Sequence, residues 1–204
     1  METLLLVRHA FAVSNRGGGV ASCSPPGEGL TPEGVEQGRR LAETLATEDV
    51  HLGVSTELRR TQETLELVLA GREIPRLVLP DFNEIHFGSF DGGPLEEYRA
   101  WAWHERPDVL APGAGESRAQ GAARYAQGLR TLLACPEATI LAVGHALMVR
   151  YVLDAVTGLV PAARMTPVEH AVLYRLSAAD AGDAASLLES WSCAPRFRDP
   201  SNEG

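Results

Sequence analysis

The chain has 204 residues, with 18 basic side chains against 27 acidic ones and a net charge of −9. This length suits one sizeable α/β domain, and the 45% apolar fraction is ordinary for a globular protein. The acidic balance argues against a general binder of nucleic acid or of anionic membranes, because no basic surplus is present to neutralise phosphates.

Three cysteines, Cys23, Cys135 and Cys193, lie far apart and form no Cys-X-X-Cys pair, which is typical of a reduced intracellular protein. The short apolar run near residue 5 has no basic segment ahead of it, so we expect no signal peptide. No apolar run approaches the roughly 20 residues that span a bilayer. The sequence therefore predicts a cytoplasmic protein.

The first half of the chain alternates predicted strands with predicted helices. Residues 4–7 form a continuous apolar run, typical of a strand buried on both faces. A loop rich in Gly, Ser and Pro follows at 14–29, and Thr31-Pro32-Glu33 then predicts the start of a helix that ends near residue 47. The next predicted elements are a strand at 51–54, a helix at 56–70 and a strand at 76–79.

The pattern weakens at 81–116, where aromatic residues mix with Gly and Pro, and we interpret this segment as an insertion over one edge of the sheet. A helix at 117–133, a strand at 139–143 and a helix at 145–156 follow, with two final strands at 171–176 and 186–191 that could form a hairpin. We expect residues 1–194 to form a single domain, with a polar, frayed tail at 195–204. The alternation predicts an α/β fold, a three-layer α/β/α sandwich with a mainly parallel central sheet.

Two predicted strands end in a histidine. The strand at 4–7 runs into Arg8-His9, and the strand at 139–143 runs into Gly144-His145. The carboxyl ends of parallel strands meet at one edge of a sheet, where ligands bind. The helix after residue 54 carries Arg59 and Arg60 near its N-terminus, and both an arginine and a helix N-terminus favour an anion such as phosphate.

With these features, the chain resembles the histidine phosphatase superfamily, which has the phosphoglycerate mutase-like fold. The matching motifs, in chain order, are Arg8-His9-Ala10 followed by Asn15, Leu30-Thr31-Pro32-Glu33-Gly34, the stretch 55–64 with Arg60, Glu84 with Phe87-Gly88, the segment 112–117, and Val143-Gly144-His145-Ala146. Each motif alone is weak, but the ordered set covers about three quarters of the chain and is specific.

The resemblance implies a phosphomonoesterase that acts through a phosphohistidine, without a metal or another cofactor. His9 would attack the phosphorus atom, and Glu84 would protonate the leaving alcohol and then activate water. The side chains that would donate to the phosphate oxygens are Arg8, Asn15, Arg60 and His145. Ala146, in a substrate-binding position, stands where the family usually has glycine, and the sequence leaves the effect of its methyl group open.

Plainer interpretations exist for several of these residues. Asn15 could simply turn the chain, Glu84 could be a solvated loop acid, and Arg59 is best read as a surface residue. The remaining histidines lack metal-ligand spacing and are expected to be surface or core residues; they are His51, His86, His104 and His170. The triplet at 17–19 lacks the Gly-Lys-Ser/Thr ending of a P-loop, so we expect only a flexible loop.

The alternatives to a phosphatase are a cofactor-dependent phosphoglycerate mutase and a non-catalytic module that binds a phosphorylated ligand or a protein. The short chain favours the phosphatase over the mutase, and the complete set of charged and imidazole groups disfavours the module. The expected partner is a small phosphorylated metabolite or inorganic phosphate, with no nucleic acid and no membrane. Which metabolite binds, and whether two copies form a homodimer, are questions that the sequence leaves open.

Overall fold

Five strands form a single sheet in the computed structural model, which describes residues 1–198. The strands are β1 (Thr3–Arg8), β2 (Leu52–Ser55), β3 (Arg76–Val78), β4 (Thr139–Gly144) and β5 (Leu173–Ser177), in the order β3-β2-β4-β1-β5. All neighbouring pairs are parallel except β1 and β5, which are antiparallel. This arrangement confirms the predicted mainly parallel sheet.

The described residues form six α-helices. They are α1 (Pro32–Thr44), α2 (Arg59–Val68), α3 (Leu95–Ala102), α4 (Arg118–Leu133), α5 (Ala146–Val156) and α6 (Ala178–Cys193). Helix α3 lies in the segment 81–116, and the other five pack around the sheet. On β1, Leu5 and Val7 pack in the same core cluster as residues of α1 and α2, whereas Leu4 and Leu6 pack with α4, α5 and α6. Since successive side chains of a strand point to opposite faces, the fold has the three layers that the sequence predicts.

The register of β1 and β4 places the ends of the two strands side by side. Val7 pairs with Val143 and Arg8 with Gly144, and the backbone N–H of His9 donates to the Gly144 carbonyl oxygen at 2.9 Å. His9 and His145 therefore leave the sheet at the same edge, and their ring centroids lie 5.3 Å apart.

The predicted strand at 186–191 is wrong, because these residues belong to helix α6. Ser177 caps this helix: its Oγ accepts from the N–H of Asp180 at 3.1 Å, and the carboxylate of Asp180 accepts from the N–H of Ser177 at 2.8 Å. This reciprocal capping box, followed by alanines, favours a helix. The buried side chains recur with helical spacing; they are Ala181, Ala184, Ala185, Leu188 and Trp191. The predicted hairpin between 171–176 and 186–191 does not form, since β5 leads directly into α6.

The start of the predicted tail packs against the domain. The Trp191 indole N–H donates to the Arg196 carbonyl oxygen at 2.7 Å, and the ring of Phe197 lies 6.0 Å from that of Trp191. Arg198 forms an ion pair with Asp154 of α5 at 3.2 Å. The rest of the predicted tail, 199–204, lies outside the described residues. Between residues 1 and 198, no helix is long and apolar enough to cross a membrane.

The segment 81–116 contains α3 and short 3-10 turns, and an aromatic cluster holds it together. The Phe87 and Tyr98 rings meet edge to face at 4.7 Å, and Phe90 contacts both Tyr98 and Trp101. Gly88 has φ +60°, and a Cβ at this position would lie 2.0 Å from the Pro112 carbonyl oxygen. The close backbone approach therefore requires glycine there, and it holds the first part of the segment against its last part, which leads into α4.

Candidate active site

His9 directly follows β1 and is only 2% exposed. Its Nδ1 lies 2.8 Å from the Ala10 carbonyl oxygen, which can only accept, so the proton of the imidazole is on Nδ1. The lone pair of Nε2 faces Arg60, whose Nε donates to it at 3.2 Å. Burial, and next the positive charges of Arg60 and Arg8, hold the pKa of His9 well below its ordinary value. A neutral imidazole with an available Nε2 is the form that can attack phosphorus.

The two predicted arginines come from different elements, and the positive charges of both act on this imidazole. Arg60 lies in the first turn of α2, where its Nη2 donates to the Ser22 carbonyl oxygen at 2.8 Å. Arg8 ends β1 and donates from Nη1 to the Val168 carbonyl oxygen at 2.5 Å, while its buried Nε has no hydrogen-bond partner among residues 1–198. Burial lowers the pKa of Arg8 to about 10, so the side chain stays charged at neutral pH. As expected, Arg59 is instead a surface residue that pairs with Glu63 at 2.6 Å.

The hydroxyl groups of Thr56 and Thr61 determine which nitrogen of His145 carries the proton. Thr61 Oγ1 donates its one hydrogen to the Leu58 carbonyl oxygen at 2.7 Å, so it must accept from Thr56 Oγ1 at 2.8 Å. Thr56 Oγ1 then accepts from His145 Nε2 at 3.1 Å. The lone pair of His145 Nδ1 consequently faces Arg60 Nη2, 3.3 Å away. Burial, and then Arg60, hold the pKa of His145 well below its ordinary value.

Arg60 thus lies between the two histidines and donates to both. His145 can donate from Nδ1 to a phosphate oxygen only as an imidazolium, because its neutral form carries the proton on Nε2. A bound anion would attract a proton to this ring. The sequence assigned no role in the site to Thr56 or Thr61, whose hydroxyls set this arrangement.

Glu84 faces the same group of side chains. Its Oε2 lies 3.9 Å from His145 Nδ1, and its Oε1 accepts from the N–H of Ile85 at 3.1 Å. Burial raises the pKa of Glu84, against the opposing effects of Arg60 and the N–H of Ile85. The carboxyl group therefore keeps its proton to higher pH than an exposed glutamate, which suits a proton donor.

Asn15 and Ala146 also line the cavity beside His9, which has a volume of about 260 Å³. Asn15 Oδ1 accepts from the N–H of Ala12 at 2.9 Å, so the side chain does turn the chain, and its Nδ2 donates to no group in the described part of the chain. Ala146 is the first residue of α5. Of the seven predicted site residues, six line this cavity, and His145 is buried directly behind Arg60.

His170 is a neighbour of the site that the sequence analysis missed. Its Nδ1 donates to the His9 carbonyl oxygen at 2.8 Å, and the two rings meet edge to face at 5.3 Å. Burial and the charge of Arg8 lower the pKa of His170 to about 4, so it is neutral at physiological pH. The available signal was its place just before β5, because the antiparallel pairing of Val7 with Leu173 brings that segment beside the end of β1.

Away from the histidines, the wall of the cavity is largely apolar. The chain as a whole is acidic, whereas the charged residues that line the cavity are mostly basic. Four arginines line it with a single carboxylate, Glu84; the arginines are Arg8, Arg60, Arg99 and Arg118. In residues 1–198, no group of three or more His, Cys, Asp or Glu side chains is placed to hold a metal ion. The cavity is therefore a locally cationic site in an acidic protein, which suits an anionic ligand.

Curated relatives share part of their sequence with this chain. The adenosylcobalamin/alpha-ribazole phosphatase of Salmonella typhimurium is 31% identical over 120 residues, which cover 55% of this chain and 58% of the relative. The enzyme of the same name from Escherichia coli is 32% identical over 106 residues, covering 48% and 51%. The chain thus spans little more than half the length of these relatives.

Solved structures of phosphatases align over most of the chain. The alpha-ribazole phosphatase of Shigella flexneri has a TM-score of 0.74 at 25% identity, covering 85% of this chain and 89% of that one. A mycobacterial glucosyl-3-phosphoglycerate phosphatase, solved with VO3, has a TM-score of 0.71 at 25% identity, covering 87% and 91%. The family model of the histidine phosphatase superfamily (branch 1) matches residues 4–190. The resemblance of the motifs is thereby confirmed, and the chain belongs to the histidine phosphatase superfamily.

Proposed function

We propose that this protein is a phosphatase that hydrolyses a phosphomonoester through a phosphohistidine on His9. The observation that carries the proposal is the state of His9, whose proton is held on Nδ1 while Nε2 faces Arg60. The named relatives are phosphatases, which favours this function over a mutase.

In the first step, His9 Nε2 attacks the phosphorus atom opposite the ester oxygen. The new N–P bond forms as the P–O bond breaks, and the protonated carboxyl group of Glu84 gives its proton to the departing alkoxide. Arg8 and Arg60 donate to the equatorial oxygens, where charge accumulates in the transition state. For the phosphoryl group to reach Nε2, Arg60 must give up its hydrogen bond to His9 and transfer that donor to the phosphate.

In the second step, the carboxylate of Glu84 takes a proton from water, whose oxygen attacks the phosphorus atom. The N–P bond breaks, so that inorganic phosphate leaves, His9 regains its lone pair and Glu84 is protonated again. Glu84 therefore acts first as an acid and then as a base. The raised pKa that burial gives this carboxyl group supports the first of these roles.

The substrate that we infer is a phosphorylated small molecule. The curated relatives are named for adenosylcobalamin and alpha-ribazole, and the mycobacterial structure for glucosyl-3-phosphoglycerate. A cavity of about 260 Å³ supports a substrate of small-molecule size.

The test is the hydrolysis of p-nitrophenyl phosphate by wild type, His9→Ala and His104→Ala, with EDTA present throughout. His104 is exposed and makes no side-chain hydrogen bond among the described residues, so it is the matched control. We expect turnover by wild type and by the control, and none by His9→Ala. Acid-labile, base-stable radioactive phosphate should be trapped on wild type but not on His9→Ala. Turnover by His9→Ala near the wild-type rate would refute the phosphohistidine.

A further inference from the structure

Arg118 is a buried cation that lacks an acidic partner. It is 7% exposed, its Nε donates to the Tyr151 hydroxyl at 2.6 Å, and its Nη2 reaches the Ala162 carbonyl oxygen at 3.4 Å. Across the described chain, no carboxylate forms an ion pair with it. It also occupies the first position of α4, where the helix dipole disfavours a positive charge. Its guanidinium lies over the rings of Tyr151 and Phe197, at 5.3 and 5.5 Å from their centroids, so that among the described residues aromatic faces and no carboxylate surround the charge.

A comparison with Arg124 shows how unusual this is. Arg124 lies on the same helix, and its Nη2 donates to the Glu116 carboxylate at 2.7 Å, with three carbonyl oxygens around its Nη1. In contrast, Nη1 of Arg118 donates to no group in residues 1–198. The Arg118 side chain lines the same cavity as His9. Its charge and a free donor are thus available to a molecule bound there.

Tyr98 provides a second unsatisfied group in the same cavity. It comes from α3, is 5% exposed, and its buried hydroxyl has no hydrogen-bond partner among the described residues. A buried hydroxyl without a partner destabilises the folded protein, and a ligand that accepts its hydrogen bond would remove that cost. The cavity is therefore lined by a buried hydroxyl without a partner, from α3, and by a guanidinium with an unused Nη1, from α4.

We propose that Arg118 and Tyr98 form a second binding site in the cavity, for a carboxylate on the molecule whose phosphate reacts at His9. The inference rests on the proposed function and narrows its substrate to phosphomonoesters that also carry a carboxylate. A carboxylate has two oxygens that accept hydrogen bonds. Arg118 can donate to them from Nη1 and from the second hydrogen of Nη2, and Tyr98 can donate from its hydroxyl. The remaining wall suits an apolar connection between the two charged ends; it includes Leu95, Leu147, Met165 and Val168.

The test uses two series of unbranched compounds with matched chain lengths: ω-phosphooxy carboxylates and alkyl phosphates. For each length, the preference is the ratio of kcat/KM for the carboxylate to kcat/KM for the alkyl compound. We expect the wild-type preference to reach about tenfold or more at one length, since charge-assisted hydrogen bonds are strong. Arg118→Met should remove most of it, and Tyr98→Phe should lower it several-fold.

Tyr125→Phe is the matched control, because the Tyr125 hydroxyl is also buried and without a partner but does not line the cavity. This variant should keep the wild-type preference. Tyr98→Phe removes an unsatisfied hydroxyl and should fold normally, so the test does not depend on the stability of Arg118→Met. The proposal is overturned if wild type shows no preference at any length, or if both cavity variants retain it.

The same comparison with non-hydrolysable phosphonates separates this proposal from the proposed function. We expect ω-phosphonocarboxylates to bind wild type more tightly than alkyl phosphonates, and Arg118→Met to lose that difference. If the phosphates are not hydrolysed but the binding difference persists, the phosphatase proposal fails and the carboxylate site stands. If hydrolysis depends on His9 but neither preference appears, the carboxylate site fails alone.

Discussion

Replacing Thr61 with valine tests the hydrogen bonds that fix the proton of His145. Valine keeps the shape of threonine but cannot accept from Thr56 Oγ1, which lies 2.8 Å from Thr61 Oγ1. The Thr56 hydroxyl is then free to donate to His145 Nε2, and the proton of His145 moves to Nδ1. In this form, the neutral histidine can donate directly to a phosphate oxygen.

The structure limits the cost of this change to stability. In Thr61→Val the backbone N–H of Thr56, which donates to Thr61 Oγ1 at 3.1 Å, loses its partner. The Leu58 carbonyl oxygen keeps a hydrogen bond from the backbone N–H of Thr61 at 3.0 Å. One unsatisfied buried group costs about 1–3 kcal/mol. For a chain of this size, that corresponds to a fall in Tm of roughly 2–12 °C.

The assay is nitrogen NMR of the histidine side chains, combined with calorimetry of phosphate binding in buffers of different ionisation enthalpy. Wild-type His145 should be protonated on Nε2 and take up one proton when phosphate binds, so that affinity falls about tenfold per pH unit in the alkaline range. In Thr61→Val the uptake should vanish. For this calorimetry, both the protein with Thr61 and the protein with Thr61→Val also carry Glu84→Gln. Proton uptake by Glu84 then cannot contribute to the measured heat.

Thr44→Val is the control, since the Thr44 hydroxyl only donates to the Arg40 carbonyl oxygen at the exposed end of α1. It should leave the tautomer and the proton uptake of wild type unchanged. The reasoning is refuted if wild-type His145 is protonated on Nδ1, or if Thr61→Val leaves the proton on Nε2.

Further predictions concern proton transfer and the support of His9. Glu84→Gln should slow hydrolysis of alkyl phosphates by about 10²–10⁴-fold and that of p-nitrophenyl phosphate far less; equal losses would exclude Glu84 as the acid. Because the pKa of Glu84 is raised above 4.5 and that of His9 lies well below 6.5, kcat for alkyl phosphates should fall as pH rises through the raised Glu84 value. A fall in kcat toward acidic pH that begins near 6.5 would contradict the lowered pKa of His9. His170→Ala should reduce kcat about tenfold with little change in KM, by loosening the His9 carbonyl. His170→Asn, which keeps a donor, should restore most of it, and failure of this rescue would assign His170 a packing role only.

The edge of the sheet that holds the site was predictable because two of its central strands can be identified from short stretches of sequence. The apolar runs before Arg8 and before Gly144 are continuous, and such runs are typical of the central strands of a parallel sheet. If both strands are central and parallel, their carboxyl ends lie at the same edge of the sheet. This alone predicts that His9 and His145 are neighbours. Arg60 follows from the same logic, since its helix begins where β2 ends.

The rest of the site depends on neighbours that are distant in sequence. No local pattern shows that Arg118 lacks an acid, that the Tyr98 hydroxyl lacks a partner, or that His170 contacts His9. The hydroxyl of Thr61 matters only because Thr56 and His145 converge on one another in three dimensions. Helix α6 was mispredicted for a different reason. The segment 186–191 is too short for its three apolar residues to distinguish a strand from a helix, and the decisive signal, the Ser177–Asp180 cap, lies upstream.

The position of β1 between β4 and β5 has a consequence for how the protein is made. Thr3 pairs with Thr139 on one side and with Ser177 on the other, so the strand that leads to His9 has no neighbour in the sheet until most of the chain has left the ribosome. Such distant pairing slows folding, because a long loop must close before any contact forms. During synthesis, His9 and His145 therefore come together only after β4 has paired with β1.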